Sequence, residues 1–217
     1  MKKILITRPE HDDTTHYLSN WCKKVIEVID AKGIKLFDLH RDKANKAEVA
    51  SIIEKQCPGL IIFNGHGDDN CVTGDKNEPL IESGNNESLL KDKITYAVSC
   101  RSAKLLGPKS VAAGAKAYIG YDDDFVFVYS PDKITKPFLD ESAKMFLEPS
   151  NELIISLIKG NSAEESHRRS QEFFKDRMKR LLSSESTPEE SSMARYLWWD
   201  MVHQVCLGDQ KAIFGDE

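Results

Sequence analysis

Five short apolar runs dominate the first part of the chain: Lys3–Thr7, Ile34–Phe37, Leu60–Phe63, Ile94–Val98 and Lys116–Tyr121. Runs of this length bounded by breakers read as buried strands. Between the first two, Asp12, Asp13 and Thr14 offer capping groups for a helix. Tyr17, Leu18, Trp21, Cys22, Val25 and Ile26 then recur at helical spacing, and Gly33 suits a left-handed cap at the end. Lys46–Gln56 repeats the helical pattern with Val49, Ile52 and Ile53 inward, and Pro58-Gly59 breaks it. Strand, helix, strand, helix, strand implies right-handed crossovers and a mostly parallel sheet with helices on both faces. In such sheets the working groups collect at the carboxyl ends of the strands.

Two of the strands end in reactive side chains. The third runs straight into Asn64-Gly65-His66-Gly67, and the fourth into Ser99-Cys100. An imidazole and a thiol at neighbouring strand tips suggest a nucleophile and its base. Between them, Asp68–Asn86 is polar and rich in Gly, Asn and Asp, with a small hairpin expected around Val72-Thr73-Gly74 and Pro79-Leu80-Ile81. Long loops at a sheet edge are often functional. After Cys100, Ser102–Leu106 reads as a short helix closed by Gly107-Pro108, and Lys109–Ala113 as another closed by Gly114. Phe125–Tyr129 is expected as the last strand or an extended edge segment.

Beyond Pro131 the pattern becomes helical. Helices are expected over Pro137–Leu147, Leu153–Lys159, Ala163–Leu182 and Pro188–Leu207, with a linker at Ser183–Pro188. This divides the chain into an α/β core over residues 1–130 and a helical C-terminal part over 131–217. The helices either cover the sheet or form a small bundle beside it. Trp198 and Trp199 are expected as packing anchors, and His167 and His203 as structural or surface residues.

Composition narrows the partners. The net charge of −5, with basic residues only in isolated pairs such as Arg168-Arg169 and Lys179-Arg180, argues against nucleic acid. No run reaches the length of a membrane span, so no membrane is expected. The apolar run at the amino terminus stops at Arg8-Pro9-Glu10 and reads as a strand rather than a signal peptide. The five cysteines are odd in number and widely spaced, without a Cys-x-x-Cys pair. That favours a reducing cytosol over a disulfide framework or a zinc knuckle, and no metal or cofactor is expected.

Taken together, a strand ending in His66-Gly67, a strand ending in Ser99-Cys100-Arg101-Ser102, and then Gly114-Ala115-Lys116-Ala117-Tyr118-Ile119-Gly120 resemble the caspase-like (clan CD) cysteine peptidases. That superfamily includes caspases, metacaspases, gingipains, separases and CHAT domains, and the likeness is nearest to its prokaryotic gingipain and CHAT-like members. It covers roughly Leu60–Tyr121. Only the Cys-Arg pair matches the Gln-Ala-Cys-Arg-Gly of caspases, and His66 and Cys100 lie closer than the about 50 residues usual there. The resemblance implies a three-layer α/β/α sandwich with C-terminal helices. It implies a His66–Cys100 dyad, an oxyanion hole from the Gly67 and Cys100 amides, and a peptide bound as an added strand.

The chemistry this implies is acyl transfer. A thiol attacks only as thiolate, so an imidazole must take its proton and later protonate the leaving amine. Backbone donors facing the developing oxyanion are typically worth about 3 to 4 kcal/mol. An acidic loop, Asp122-Asp123-Asp124, follows the strand beside the one carrying Cys100, and its carboxylates would favour Arg or Lys before the cut. Asp68 and Asp69 are rival candidates for that pocket, and Cys71 a rival thiol. The expectation is a cysteine endopeptidase acting on a protein or peptide substrate, with an activating or regulatory protein as a further partner. The alternative is a non-catalytic caspase-like or flavodoxin-like module that binds a peptide, small ligand or partner through the same loops.

Overall fold

The computed structural model describes residues 1–215. In chain order the elements are β1 (Lys3–Arg8), α1 (Asp13–Trp21), α2 (Lys23–Ala31), β2 (Lys35–His40), α3 (Lys46–Gln56), β3 (Leu60–Asn64), β4 (Cys71–Thr73) and β5 (Pro79–Glu82). There follow β6 (Ile94–Val98), α4 (Leu106–Ala112), β7 (Ala117–Tyr121), α5 (Glu141–Ile158), α6 (Ala163–Leu181), α7 (Pro188–Ser192), α8 (Ala194–His203) and β8 (Gln204–Gly208). Six strands form one sheet in the order β2-β1-β3-β6-β7-β8, and β4 and β5 form a separate hairpin. The first five are parallel, and β8 joins β7 antiparallel.

β3, β6 and β7 are buried at every position and mostly apolar because both faces are covered. Ile4, Ile6, Leu60, Ile62, Ile94 and Tyr96 enter one core with Tyr17, Leu18 and Trp21 of α1, Val25 and Ile29 of α2, and Leu153 and Ile154 of α5. The alternate residues Leu5, Ile61, Phe63 and Ala97 enter a second core with Val49 and Ile53 of α3 and Leu106 of α4. The three-layer sandwich is therefore the fold observed. A third cluster joins Phe146 of α5, Phe174 and Leu181 of α6, and Ala194 and Leu197 of α8. The C-terminal helices thus cover the sheet through α5 and then build outward from it.

Several expectations need correction. The stripe read as one helix is carried by two, α1 and α2, which meet at Cys22. Ser102–Leu105 forms turns rather than a helix, and Gly107-Pro108 lies inside the first turn of α4 instead of closing a helix. A proline there costs little, because the first amides of a helix have no intrahelical acceptor. The two helices expected on either side of Pro149 are one, α5. An interior proline costs about 3 kcal/mol. That cost is offset where Phe146, Leu147, Leu153, Ile154 and Leu157 are all buried along the same helix.

The sheet edge differs too. Phe125–Tyr129 pairs with no strand. Its aromatic residues stack inward instead, Phe125 on Tyr121, and Phe127 and Tyr129 on Tyr17. The edge is taken by β8, which was expected as the end of a helix. Val205 and Leu207 of β8 pack into one core and Cys206 into the other, the alternation of a strand covered on both faces.

Local capping follows the sequence. Asn45 accepts from the Glu48 amide at 3.0 Å at the start of α3. Asn45→Ala is expected to cost about 1 kcal/mol in urea unfolding; an unchanged midpoint would mean that this exposed bond is replaced by water without loss.

Candidate active site

The register of the two central strands decides which tips meet. Leu60 pairs with Ile94 and Asn64 with Val98, so β3 and β6 end level. Gly65 donates its amide to the Val98 carbonyl at 3.3 Å, extending the pairing one step. The chain then turns onto the hairpin. The His66 carbonyl accepts from the Thr73 amide at 2.9 Å and from Thr73 Oγ1 at 3.1 Å, and the Asp68 amide donates to the Cys71 carbonyl. These bonds flank a bridge between Gly67 and Val72, in which Gly67 takes the position without hydrogen bonds to its partner. The Gly67 N–H therefore points away from β4. A Cβ on Gly67 would lie 2.8 Å from the Cys71 carbonyl oxygen, 3.0 Å from Ser99 Cβ and 3.1 Å from the Cys100 carbonyl oxygen. The His66-Gly67 turn and the Cys100 turn are in contact.

The Cys100 turn is tightly held. Arg101 has left-handed backbone (φ +55°), which for a residue other than glycine marks a constrained turn. Its amide donates to the Asp123 carbonyl at 3.0 Å, the Ala103 amide to the Tyr121 carbonyl at 2.9 Å, and Ser99 Oγ to Ser102 Oγ at 2.9 Å. Among the described residues, neither the Gly67 nor the Cys100 amide donates to a protein acceptor. The Cys100 thiol is half-buried and lies 3.7 Å from the Phe125 carbonyl, to which it donates. Burial, followed at a distance by the charge of Asp124, pushes this thiol above its ordinary value.

His66 and Cys100 share no hydrogen bond. The imidazole is engaged elsewhere: His66 Nε2 lies 2.6 Å from Asp12 Oδ2. The other oxygen of Asp12 caps α1, accepting from the Thr15 amide and from Thr15 Oγ1, both at 2.8 Å. Burial acts to raise the Asp12 carboxyl. Hydrogen bonds from the Thr15 amide and from His66 outweigh it and hold the group below the usual carboxylate range. An ionised Asp12 accepts a proton bond from Nε2–H, which leaves the Nδ1 lone pair bare. Nδ1 has no protein partner among the described residues. The sequence marked Asp12 only as a helix cap. What it also carried was its place at the carboxyl end of β1, next to β3 in the sheet.

The candidate pocket acids have diverged in role. Asp122 is tied to His203, whose Nδ1 lies 2.7 Å from its Oδ1. Asp123 accepts from the Asp124 amide at 2.8 Å. Asp124 Oδ1 lies 3.2 Å from Arg101 Nε, and its carbonyl accepts from Trp199 Nε1 at 2.9 Å. Asp69 lies 3.6 Å from the same Arg101 nitrogen and 3.3 Å from Lys104. Asp68 accepts from the Asn70 and Cys71 amides and braces its own turn. Cys71 is buried, and that burial, together with Asp68, raises its thiol to about 11. A groove of about 330 Å³ runs from Asp124 past Val126, Arg195, Tyr196, Trp198 and Trp199. Trp198 is 52% exposed there, a surface residue rather than the packing anchor expected. His167 donates its Nε2–H to the Gln204 carbonyl at 2.9 Å.

The three-layer sandwich with its mostly parallel sheet is a caspase-like fold. In particular, the chain is similar to a secreted C11 cysteine protease from Bacteroides thetaiotaomicron solved in complex with an irreversible peptide inhibitor. The TM-score is 0.52 at 11% identity, over 87% of this chain and 62% of that protease, so this chain spans less than two thirds of its length. It also matches an inactive zymogen C11 protease from Parabacteroides distasonis with a TM-score of 0.41 and 9% identity, over 94% of this chain and 83% of that one. No family model matches the chain, and no curated protein matches it in sequence.

Proposed function

We propose that this protein is a cysteine endopeptidase in which Cys100 is the nucleophile and His66 the base. The observation that supports this most is the contact between the Gly67 and Cys100 turns, with both amides uncommitted. In this reading Asp12 holds the neutral imidazole with Nε2 protonated. Nδ1 takes the thiol proton, and the thiolate adds to a peptide carbonyl whose oxygen settles on the Gly67 and Cys100 amides. The C–N bond then breaks as His66 returns the proton to the amine, and water releases the acyl group from Cys100. The neighbour of like fold that binds an irreversible peptide inhibitor supports a peptide as substrate. A basic residue before the cut is favoured by Asp124, where a substrate guanidinium or ammonium would compete with Arg101. A free thiol as nucleophile suits a reducing compartment such as the cytosol.

One observation favours a second reading, a peptide-binding module without turnover: the thiol donates to Phe125, not to His66, and burial raises it. Catalytic hydrogen bonds are often long or misaligned before substrate binds, so the peptidase reading is preferred. A peptide library and a peptide electrophile, each with Cys100→Ala as control, decide between them. The peptidase reading expects cleavage and labelling that both vanish in the control. Peptide binding without either supports the module, and cleavage only after acidic or apolar residues removes the role given to Asp124.

A further inference from the structure

His66 has two neighbours that peptide hydrolysis does not require together. His11 Nε2 lies 3.7 Å from the same Asp12 Oδ2 that holds His66 Nε2 at 2.6 Å. The two imidazole rings stand 6.0 Å apart, edge to face. The three ligand atoms, His11 Nε2, Asp12 Oδ2 and His66 Nε2, all fall within 4.8 Å of one another. A tetrahedral zinc ion with bonds of about 2.0–2.1 Å spaces its ligands at about 3.3 Å. The spacing here brackets that value, so small side-chain rotations complete the set.

The surroundings hold the three ligand atoms close together. The Asp12 carboxylate is held from behind by Thr15 on Oδ1, which leaves Oδ2 turned to both imidazoles. The His11 amide is fixed to Thr15 Oγ1 at 3.0 Å. His11 Nδ1 accepts from the Lys76 amide at 3.2 Å and lies 3.9 Å from Asp75 Oδ1, while His11 Nε2 donates to Asn77 Oδ1 at 3.3 Å, a bond that a metal ion would replace. A carboxylate beside the far nitrogen of a metal-bound histidine is the usual outer support of such sites. Two imidazoles and a carboxylate, with a fourth position open to water, select a borderline cation over Mg²⁺ or Ca²⁺.

We propose that His11, Asp12 and His66 form a binding site for Zn²⁺, and that zinc bound there switches off the thiol chemistry. Each imidazole gives the metal its Nε2 lone pair, so its proton moves to Nδ1, and no proton is released. On His11 that proton turns toward Asp75, and the Lys76 amide gives up Nδ1 as its acceptor. On His66 it occupies the lone pair that would take the Cys100 proton. The switching half of this proposal rests on the peptidase reading above; the binding half does not.

The test starts from chelator-treated protein. Co²⁺ serves as a spectroscopic probe and Zn²⁺ as the competitor, with Mg²⁺ and Ca²⁺ as controls. One equivalent of Co²⁺ is expected to give the intense visible absorption of a four-coordinate site, displaced by Zn²⁺. His11→Ala, or His11→Gln to retain an acceptor for the Lys76 amide, is expected to weaken Zn²⁺ by about a hundredfold or more. Asp75→Asn is expected to weaken it by about tenfold. Peptide cleavage by the metal-free protein is expected to stop with one equivalent of Zn²⁺ and to continue in metal-treated His11→Ala. Absence of a stoichiometric Co²⁺ site, or zinc affinity unchanged by His11→Ala, overturns the site. Inhibition that persists in His11→Ala at the same zinc concentration overturns the switch and points to the thiols instead. Metal binding that depends on His11 in a protein that cleaves no peptide upholds the site and rejects the peptidase.

Discussion

Alanine at position 67 is expected to lower kcat for peptide cleavage by about two to three orders of magnitude, with KM little changed. The added methyl group would meet the Cys71 carbonyl oxygen at 2.8 Å and the Cys100 carbonyl oxygen at 3.1 Å. Both obstacles are main chain, and neither can rotate aside. The hairpin side is pinned by the two Thr73 bonds to His66, and the cysteine side by the Arg101 bond to Asp123. The Gly67 peptide must therefore shift away from Cys100. Loss of one oxyanion donor typically costs about 10²–10³ in kcat. Steady-state kinetics of Gly67→Ala, beside a melting curve to show that the sheet persists, reads the effect. Full activity in a folded Gly67→Ala protein would remove the amide from the mechanism.

The second large effect concerns stability. Asp200 is 0% exposed; its Oδ1 accepts from the Val126 amide at 2.9 Å, and its Oδ2 has no partner among the described residues. Burial raises this carboxyl well above its ordinary value, against the smaller opposing effect of the Val126 bond. The ionisable groups facing it, Cys100, Tyr96 and Tyr121, are themselves raised by burial and neutral with it. The unfolded chain releases the Asp200 proton from about pH 4 upward, whereas the folded chain keeps it. Above that pH the unfolded state binds fewer protons, so stability falls as pH rises, by about 1.4 kcal/mol per pH unit, until the folded carboxyl ionises.

Asp200→Asn removes this slope while preserving an acceptor for Val126. The variant is expected to lie close to the parent near pH 4 and to become progressively more stable toward pH 8. Urea titrations across that range check it. The fixed cost of an amide N–H without a partner moves both ends of the comparison equally, so the slope carries the result. Parallel curves for the two proteins would mean that Asp200 is solvated or already ionised.

Legibility in the sequence followed the range of the interaction. β1, β3, β6 and β7 were readable because each is a local apolar run with a breaker behind it. His66, Gly67 and Cys100 were readable for the same reason, as residues at the ends of those runs. The strand β8 was not, because Val205 stands at helical spacing from Met201 and Val202, and only pairing with β7 distinguishes strand from helix there. Pro149 gave a helix-ending signal that distant burial overrode. Asp12 showed its local role as a cap, while its bond to His66 spans 54 residues and depends on β1 lying beside β3. The three aspartates of the 122–124 loop look alike in sequence. Their partners, His203, the Asp124 amide and Arg101, are set by α8 and the cysteine turn.

The late position of β8 has a consequence for how the molecule comes into being. A chain emerging from the ribosome completes its first strands and the His66 and Cys100 turns before α8 and β8 exist. Domains of mixed topology wait on such long-range closures, which are slow relative to local ones. Val126 has no Asp200 to hold it until then, so the carbonyl of Phe125 has no fixed place beside the thiol. During refolding, protection of Cys100 from a brief alkylation pulse is expected to appear with the docking of the C-terminal strand, after the parallel strands have formed. The maturation of the thiol would then be timed by the last element of the sheet to arrive.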